Sequence, residues 1–256
     1  MRIHHKKQFC FTPFFTGVFL FSSLCFRPID EWEMLGGYTT YYNANDSARS
    51  ENIRIAARWI DGVIVQPYGE FSFNQTVGKR TQEAGFLEAK IIVNGEYVLG
   101  TGGGVCQVST TLYNAALRSG MEVTEFHAHS LCVAYVPPSC DAMVSSSSDL
   151  KLFNPYAHPI LLRSKTQKDS VKITLYGKNE GDRYELISFT RREIPPPPPI
   201  VKDGEREEIL RPEKNGIVSE AYLERYRAGK LLSRQRIRKD EYRAVQGIFI
   251  KKPQIP

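Results

Sequence analysis

The sequence predicts an α+β protein: a small mixed domain with a candidate nucleophile at a helix N-terminus, followed by a β-rich tail. Three patterns carry this expectation. In residues 47–65, Ile53, Ala56, Ala57, Ile60 and Ile64 recur at helical spacing while Arg54, Arg58 and Asp61 fall elsewhere, and Ser50 stands where a cap would be. Val105, Val108, Leu112 and Ala116 repeat that spacing directly after three glycines, with Gly120 placed to end the helix. Elsewhere the chain alternates in short runs: residues 71–73, residues 89–93 with the hairpin signal Asn94-Gly95 and a return over 97–99, residues 131–136, residues 160–162 with 171–176, and the tail from Gly216 onward.

The chain starts with Arg2, Lys6 and Lys7, then runs from Gln8 to Phe26 without a charge before Arg27 and Pro28. A basic flank followed by an apolar run reads as a signal peptide, or as a signal anchor holding the protein to a membrane. The protein is therefore expected outside the cytoplasmic membrane, at its outer face or in the cell wall. Without residues 1–26 the 34 basic residues become 31, against 28 acidic ones, so half of the net charge of +6 lies in the targeting segment and +3 stays with the remainder. Such a balance suits an anionic envelope surface. Neither a nucleic-acid module nor a phosphate-binding glycine loop of the Walker type is present. The expected organisation is a targeting segment over 1–26, a lead-in over 27–49, a main domain over 50–178, a spacer over 179–211 containing the proline run 195–199, and the β-rich tail over 212–256.

The chemistry centres on Gly102-Gly103-Gly104-Val105-Cys106-Gln107-Val108-Ser109. Glycine lets backbone approach a ligand closely. A cysteine in the first turn of a helix meets unpaired N–H groups and the positive end of the dipole, which favour the thiolate. His127 and His129 alternate, so on a strand they share a face. Either could exchange a proton with the cysteine. Asp149 reads equally as the group that orients the histidine and as a strand-edge charge. Lys79 and Arg80 lie in a polar loop that either meets substrate carboxylates or is simply solvated. Of five cysteines, Cys10 and Cys25 fall in the targeting segment; Cys106, Cys132 and Cys140 leave one working thiol and a candidate disulfide between the other two. No C-x-x-C pair or common zinc spacing occurs, so neither metal nor cofactor is expected.

GGGVCQVSTTLYNAAL, with YGEFSFNQTVGKRT before it and HSLCVAYVPPSCDAMV and DLKLFNPYAHPILL after it, resembles the VanW family over about half of the chain. PEKNGIVSEAYLERYRAGKLLSR resembles the small glycine-named β domain that often follows such modules. The resemblance implies a peptidoglycan L,D-transpeptidase, acting on the stem peptides of the cell envelope through a cysteine thioester. Cys106 would be the nucleophile, His129 the proton shuttle because it stands in the His-Ser pair of the family pattern, and Asp149 its orienter. Gly103, Gly104, Gln107, Ser109, His127 and Ser130 would hold the substrate. Two rivals stay open, a cysteine hydrolase of stem peptides and a wall-binding protein without catalysis. Oligomeric state is not readable.

Overall fold

The structure, a computed structural model, describes residues 32–93 and 95–252; the expected targeting segment lies outside them. It corrects the α+β expectation. Among the described residues the chain is mostly β, with 45% strand against 15% helix, arranged as several small sheets with three helices. The reason lies in segments whose apolar residues keep no clean alternation of their own. Glu33–Tyr41, Asp182–Ile194, Ile200–Asp203 and Glu208–Arg211 are all strands, made so by partners far away in sequence.

In chain order the elements are β1 (Glu33–Tyr41), α1 (Ser47–Ile60), β2 (Ile64–Val65), β3 (Glu70–Ser72), α2 (Phe73–Val77), β4 (Glu88–Val93), β5 (Glu96–Thr101), α3 (Val105–Arg118), β6 (Glu122–Glu125) and β7 (Lys151–Phe153). There follow β8 (Ile160–Thr166), β9 (Ser170–Gly177), β10 (Asp182–Ile194), β11 (Ile200–Asp203), β12 (Glu208–Arg211), β13 (Gly216–Arg227), β14 (Lys230–Tyr242) and β15 (Ile248–Lys251). The largest sheet has the order β1-β9-β8-β2, all pairs antiparallel. Val171, Ile173 and Leu175 of β9 alternate into the core, on which α1 and α3 pack.

The two long helices follow their apolar stripes. In α1, Ile53, Ala56, Ala57 and Ile60 are buried. Its cap is Asp46, whose carboxylate accepts the Arg49 N–H at 3.1 Å; Ser50 sits inside the helix instead. The helix stops at Ile60, and Ile64 belongs to β2, where it is exposed. Helix α3 ends as its glycine predicts. Gly120 has φ +73°, the Gly120 N–H donates to the Leu117 carbonyl, and the Met121 N–H reaches back to Ala116.

The tail packs on the main module. Strand β13 lies between β10 and β14, and Leu186, Ala221 and Tyr242 are buried. Ser139 and Ser219 share a 2.7 Å hydrogen bond, and Ser188 donates to the Pro138 carbonyl at 2.5 Å. Two further expectations are corrected. Residues 131–136 form bends rather than a strand, although Leu131, Val133 and Val136 are buried. Cys132 and Cys140 are free thiols: Cys140 is buried, while the Cys132 thiol turns to the Val133 carbonyl.

Candidate functional site

The three glycines each make room for something. A Cβ on Gly102 would stand 3.0 Å from Arg80 Cβ, one on Gly103 would stand 2.7 Å from the Ala89 and Lys90 backbone, and one on Gly104 would stand 3.0 Å from Arg49 Cγ. Gly104 also has φ +109°, which a side chain would strain. The chain can thus turn from β5 into α3 against α1 and β4, and Cys106 emerges as the second residue of α3. Val105 and Gln107 donate their N–H groups to the Gly102 and Gly104 carbonyls. Among the described residues, nothing accepts from the Cys106 N–H.

The polar residues of α3 fasten the segment 140–144 alongside it. Ser109 Oγ donates to the Ala142 carbonyl at 2.6 Å, the Ala142 N–H donates to Thr110 Oγ1 at 2.9 Å, and Asn114 Nδ2 donates to the Cys140 carbonyl at 2.7 Å. This carries two groups to the thiol's neighbourhood. The Val144 backbone meets Cys106 Sγ, its N–H at 3.5 Å and its carbonyl at 3.3 Å. Asp141, one residue before Ala142, takes up His129.

Asp141 is the acidic partner that the sequence did not reveal. Its Oδ2 accepts from the His129 backbone N–H at 2.8 Å and lies 2.7 Å from His129 Nδ1. Its Oδ1 accepts from Tyr242 Oη at 2.5 Å and from Arg238 Nη2 at 3.2 Å. Arg238 also donates to the Asp141 carbonyl and, through Nε, to Asp240 at 3.0 Å, with its guanidinium over the Phe126 ring. Its side chain is 0% exposed, that of Asp141 1% and that of His129 6%, so the whole chain of charges is dry. Arg238 and Tyr242 both come from β14, so the tail supports the site.

Burial, hydrogen bonds and charge set the protonation states. For Cys106, burial pushes the thiol up, but hydrogen bonding and charge from His129, the Val144 N–H and the charge of Arg80 outweigh it and hold the thiol below its ordinary pKa. For His129, burial works against the imidazolium, yet Asp141 and Cys106 raise its pKa. Burial likewise opposes the Asp141 carboxylate, and His129, Arg238 and Tyr242 more than reverse this, bringing it down to about 2. Nδ1 of His129 is committed to Asp141, which leaves Nε2 for the thiol.

The other predicted residues divide. Asp149 makes no hydrogen bond or ion pair with His129. Its carboxylate accepts from Ser72 Oγ at 2.5 Å and from the Asn74 and Leu150 N–H groups at 2.8 Å, which fixes the start of α2. The reading of Asp149 as the group that orients His129 is therefore corrected: the carboxylate that meets His129 is that of Asp141. His127 faces Glu125 at 3.1 Å, in a cluster with Lys151, and is not among the residues that line the cleft with Cys106. Ser109 is buried against segment 140–144, and Ser130 offers its carbonyl to the Arg243 N–H. Gly103 gives its carbonyl to Asn52 Nδ2 at 2.9 Å. Gln107 is buried, donating to Thr40 and the Tyr41 carbonyl and accepting from Arg49 Nη2 at 2.9 Å. Gly104, Gln107, Cys106 and His129 line a cleft of about 960 Å³, together with Val133, Tyr135, Ile91 and Tyr97. The only sequence signal for Asp141 was the HSLCVAYVPPSCDAMV block, whose bends bring His129 and Asp141 together across twelve positions. Among the described residues, no group of three His, Cys, Asp or Glu side chains stands close enough to hold a metal ion.

Comparison with known proteins adds to this picture. Residues 48–176 match the VanW family model, described as VanW like protein. The chain is 44% identical over 167 residues to the uncharacterized protein YoaR of Bacillus subtilis, covering 65% of this chain and 53% of that protein. It is 25% identical over 93 residues to the vancomycin B-type resistance protein VanW of Enterococcus faecalis, covering 36% of this chain and 33% of that protein. The chain thus spans about half or less of the length of these curated relatives. Among solved structures, the crystal structure of HP0197-G5 matches 27% of this chain and 93% of that one, at 12% identity and a TM-score of 0.16. No helix among the described residues is long and apolar enough to cross a membrane.

Proposed function

The chain belongs to the VanW family, and on that premise we propose that it is an exported cysteine acyltransferase of the cell wall, an L,D-transpeptidase acting on peptidoglycan stem peptides. The observation that carries this reading is the buried series Arg238 and Tyr242, Asp141, His129, which leads to the half-buried Cys106 and opens there on a cleft. A nucleophile, a base and a group that orients the base are the parts covalent acyl transfer needs.

The steps follow from the residues. The Cys106 thiolate attacks the acyl carbonyl at the penultimate residue of a stem. The carbonyl oxygen gains the negative charge, and the unshared Cys106 N–H at the start of α3 is placed to receive it. The tetrahedral adduct collapses to a thioester as the C–N bond breaks, and His129 Nε2 gives its proton to the departing amine. An amine from a neighbouring stem then attacks the thioester and returns a proton to His129. A new amide forms and the thiolate is released. Asp141 holds the imidazole so that Nε2 faces the thiol, and it supports the positive ring.

The test is incubation of the protein with purified muropeptides and mass spectrometry of the products. Cross-linked dimers are expected from the native protein and none from Cys106→Ala. If Cys106→Ala forms dimers at the native rate, the acyltransferase reading falls.

A further inference from the structure

The cleft around Cys106 is lopsided in charge. Arg49, Lys79, Arg80 and Lys90 line it, and Asp46 is the one acid among its lining residues. Lys79 and Lys90 are exposed, but the two arginines are half-buried. Neither arginine has a carboxylate within ion-pair distance among the described residues. Arg49 Nη2 is held by the neutral Gln107 Oε1 at 2.9 Å, and Arg80 Nη2 and Nη1 by Asn74 Oδ1 at 2.5 Å and the Gly78 carbonyl at 3.3 Å. Both holders are themselves fixed. Gln107 is bound to Thr40 and Tyr41, and the Asn74 amide donates to the Ser145 and Ser148 carbonyls. The Asp46 carboxylate is spent on the α1 cap, and that of Asp149 on Ser72 and Asn74.

Their placement explains the glycines beside the nucleophile. The Arg80 stem lies where a Gly102 side chain would go, and the Arg49 stem where a Gly104 side chain would go. The loop that delivers Cys106 is therefore bare on its arginine contacts, and both arginines line the cleft that holds the thiol. A desolvated guanidinium held only by neutral oxygens is short of its natural partner, and a planar carboxylate matches its fork of donors. Arg80 and Cys106 already act on each other through charge.

We propose that Arg49 and Arg80 form a carboxylate-binding site beside Cys106, so that the acyl donor taken by this cleft carries a free carboxylate next to the bond attacked. This deepens the acyltransferase reading and rests on it. A peptide whose leaving residue is C-terminal meets the requirement, since its carboxylate lies one residue beyond the scissile carbonyl. An internal peptide bond does not. The cleft thus selects chain ends over chain interiors, and the departing amino acid leaves with the carboxylate that recruited it.

The test separates this site from the reading beneath it. Alkylation of Cys106 is measured at one pH with iodoacetate, which carries a carboxylate, and with iodoacetamide, which does not. Their rate ratio cancels the thiolate fraction, so it reports the cleft and not the cysteine pKa. The native ratio is expected to exceed that of 2-mercaptoethanol by roughly tenfold and to fall towards it in Arg80→Gln and Arg49→Gln. A native ratio equal to that of the free thiol overturns the carboxylate site without recourse to any variant. In the second arm, a donor peptide is compared with its C-terminal amide. The acid is expected to be consumed at least tenfold faster; equal consumption overturns the site and leaves the acyltransferase standing. A Cys106 that reacts with neither alkylating agent overturns both.

Discussion

Replacing Asp141 by Asn tests the site at its centre, because size is kept and charge is lost. Asp141 accepts from four groups: the His129 N–H, His129 Nδ1, Tyr242 Oη and Arg238. Asparagine can accept on one oxygen only, so either His129 or the Arg238–Tyr242 side faces an amide N–H₂. Two unit charges about 4 Å apart are worth about 4 kcal/mol at the screening typical of proteins, or about three pKa units. Desolvation offsets part of this for a buried pair, so about one to two units is the expected loss for His129. The sign runs one way. A lowered His129 pKa removes the imidazolium near neutrality, and the Cys106 thiol then rises towards its ordinary range. The acid limb of Cys106 alkylation by iodoacetamide should move up by about one to two pH units, making reaction below the limb about 10–100-fold slower. Turnover should fall by roughly two to four orders of magnitude, as when a triad loses its acid. Asp149→Asn, which removes a carboxylate bound to Ser72 and Asn74, should leave the limb in place. An unmoved limb in Asp141→Asn, or an equal shift in Asp149→Asn, would refute the assignment.

Other outcomes follow from the same geometry. Tyr242→Phe removes one hydrogen bond to Asp141 and leaves the Ser139 N–H without its acceptor, so it should shift the alkylation limb by less than Asp141→Asn and cost about 1–3 kcal/mol in urea unfolding. Gly104→Ala must place a Cβ 3.0 Å from Arg49 at φ +109°, and should lower the melting temperature by several degrees with a larger loss of activity, whereas Gly181→Ala, strained alike at φ +84° but in open space, should leave activity intact. Acid unfolding should report Asp141, whose pKa is depressed to about 2. Its contribution is present above the unfolded value near 4 and is lost as pH falls towards 2, so urea midpoints should drop over that window in the native protein and flatten in Asp141→Asn. Thiol titration of unfolded, unreduced protein should count Cys106, Cys132 and Cys140 as free; a count of one among them would restore the disulfide.

What the sequence determined by itself is local. The stripes of α1 and α3, the glycine that ends α3, the β4–β5 hairpin and the β13–β14 pair all follow from spacings within about ten residues, because helix period, strand alternation and turn chemistry act at that range. Cys106 at the head of α3 was legible for the same reason. The tertiary structure decided the rest. Strand β1 carries two adjacent glycines and no regular apolar alternation, and it becomes a strand because β9, over 120 positions on, offers its edge. That long-range pairing is why the chain is mostly β and not α+β. It also decided the acid of the site. The sequence pointed to Asp149 and passed over Asp141, since nothing in either segment says which way a bend will face. Ser109, Thr110 and Asn114 settle it by tying segment 140–144 to α3, and Arg238 and Tyr242 settle it again by bringing buried donors from about a hundred residues away. A carboxylate is held at such depth only where its hydrogen bonds and its charge are matched, and that match is made by the packed chain alone.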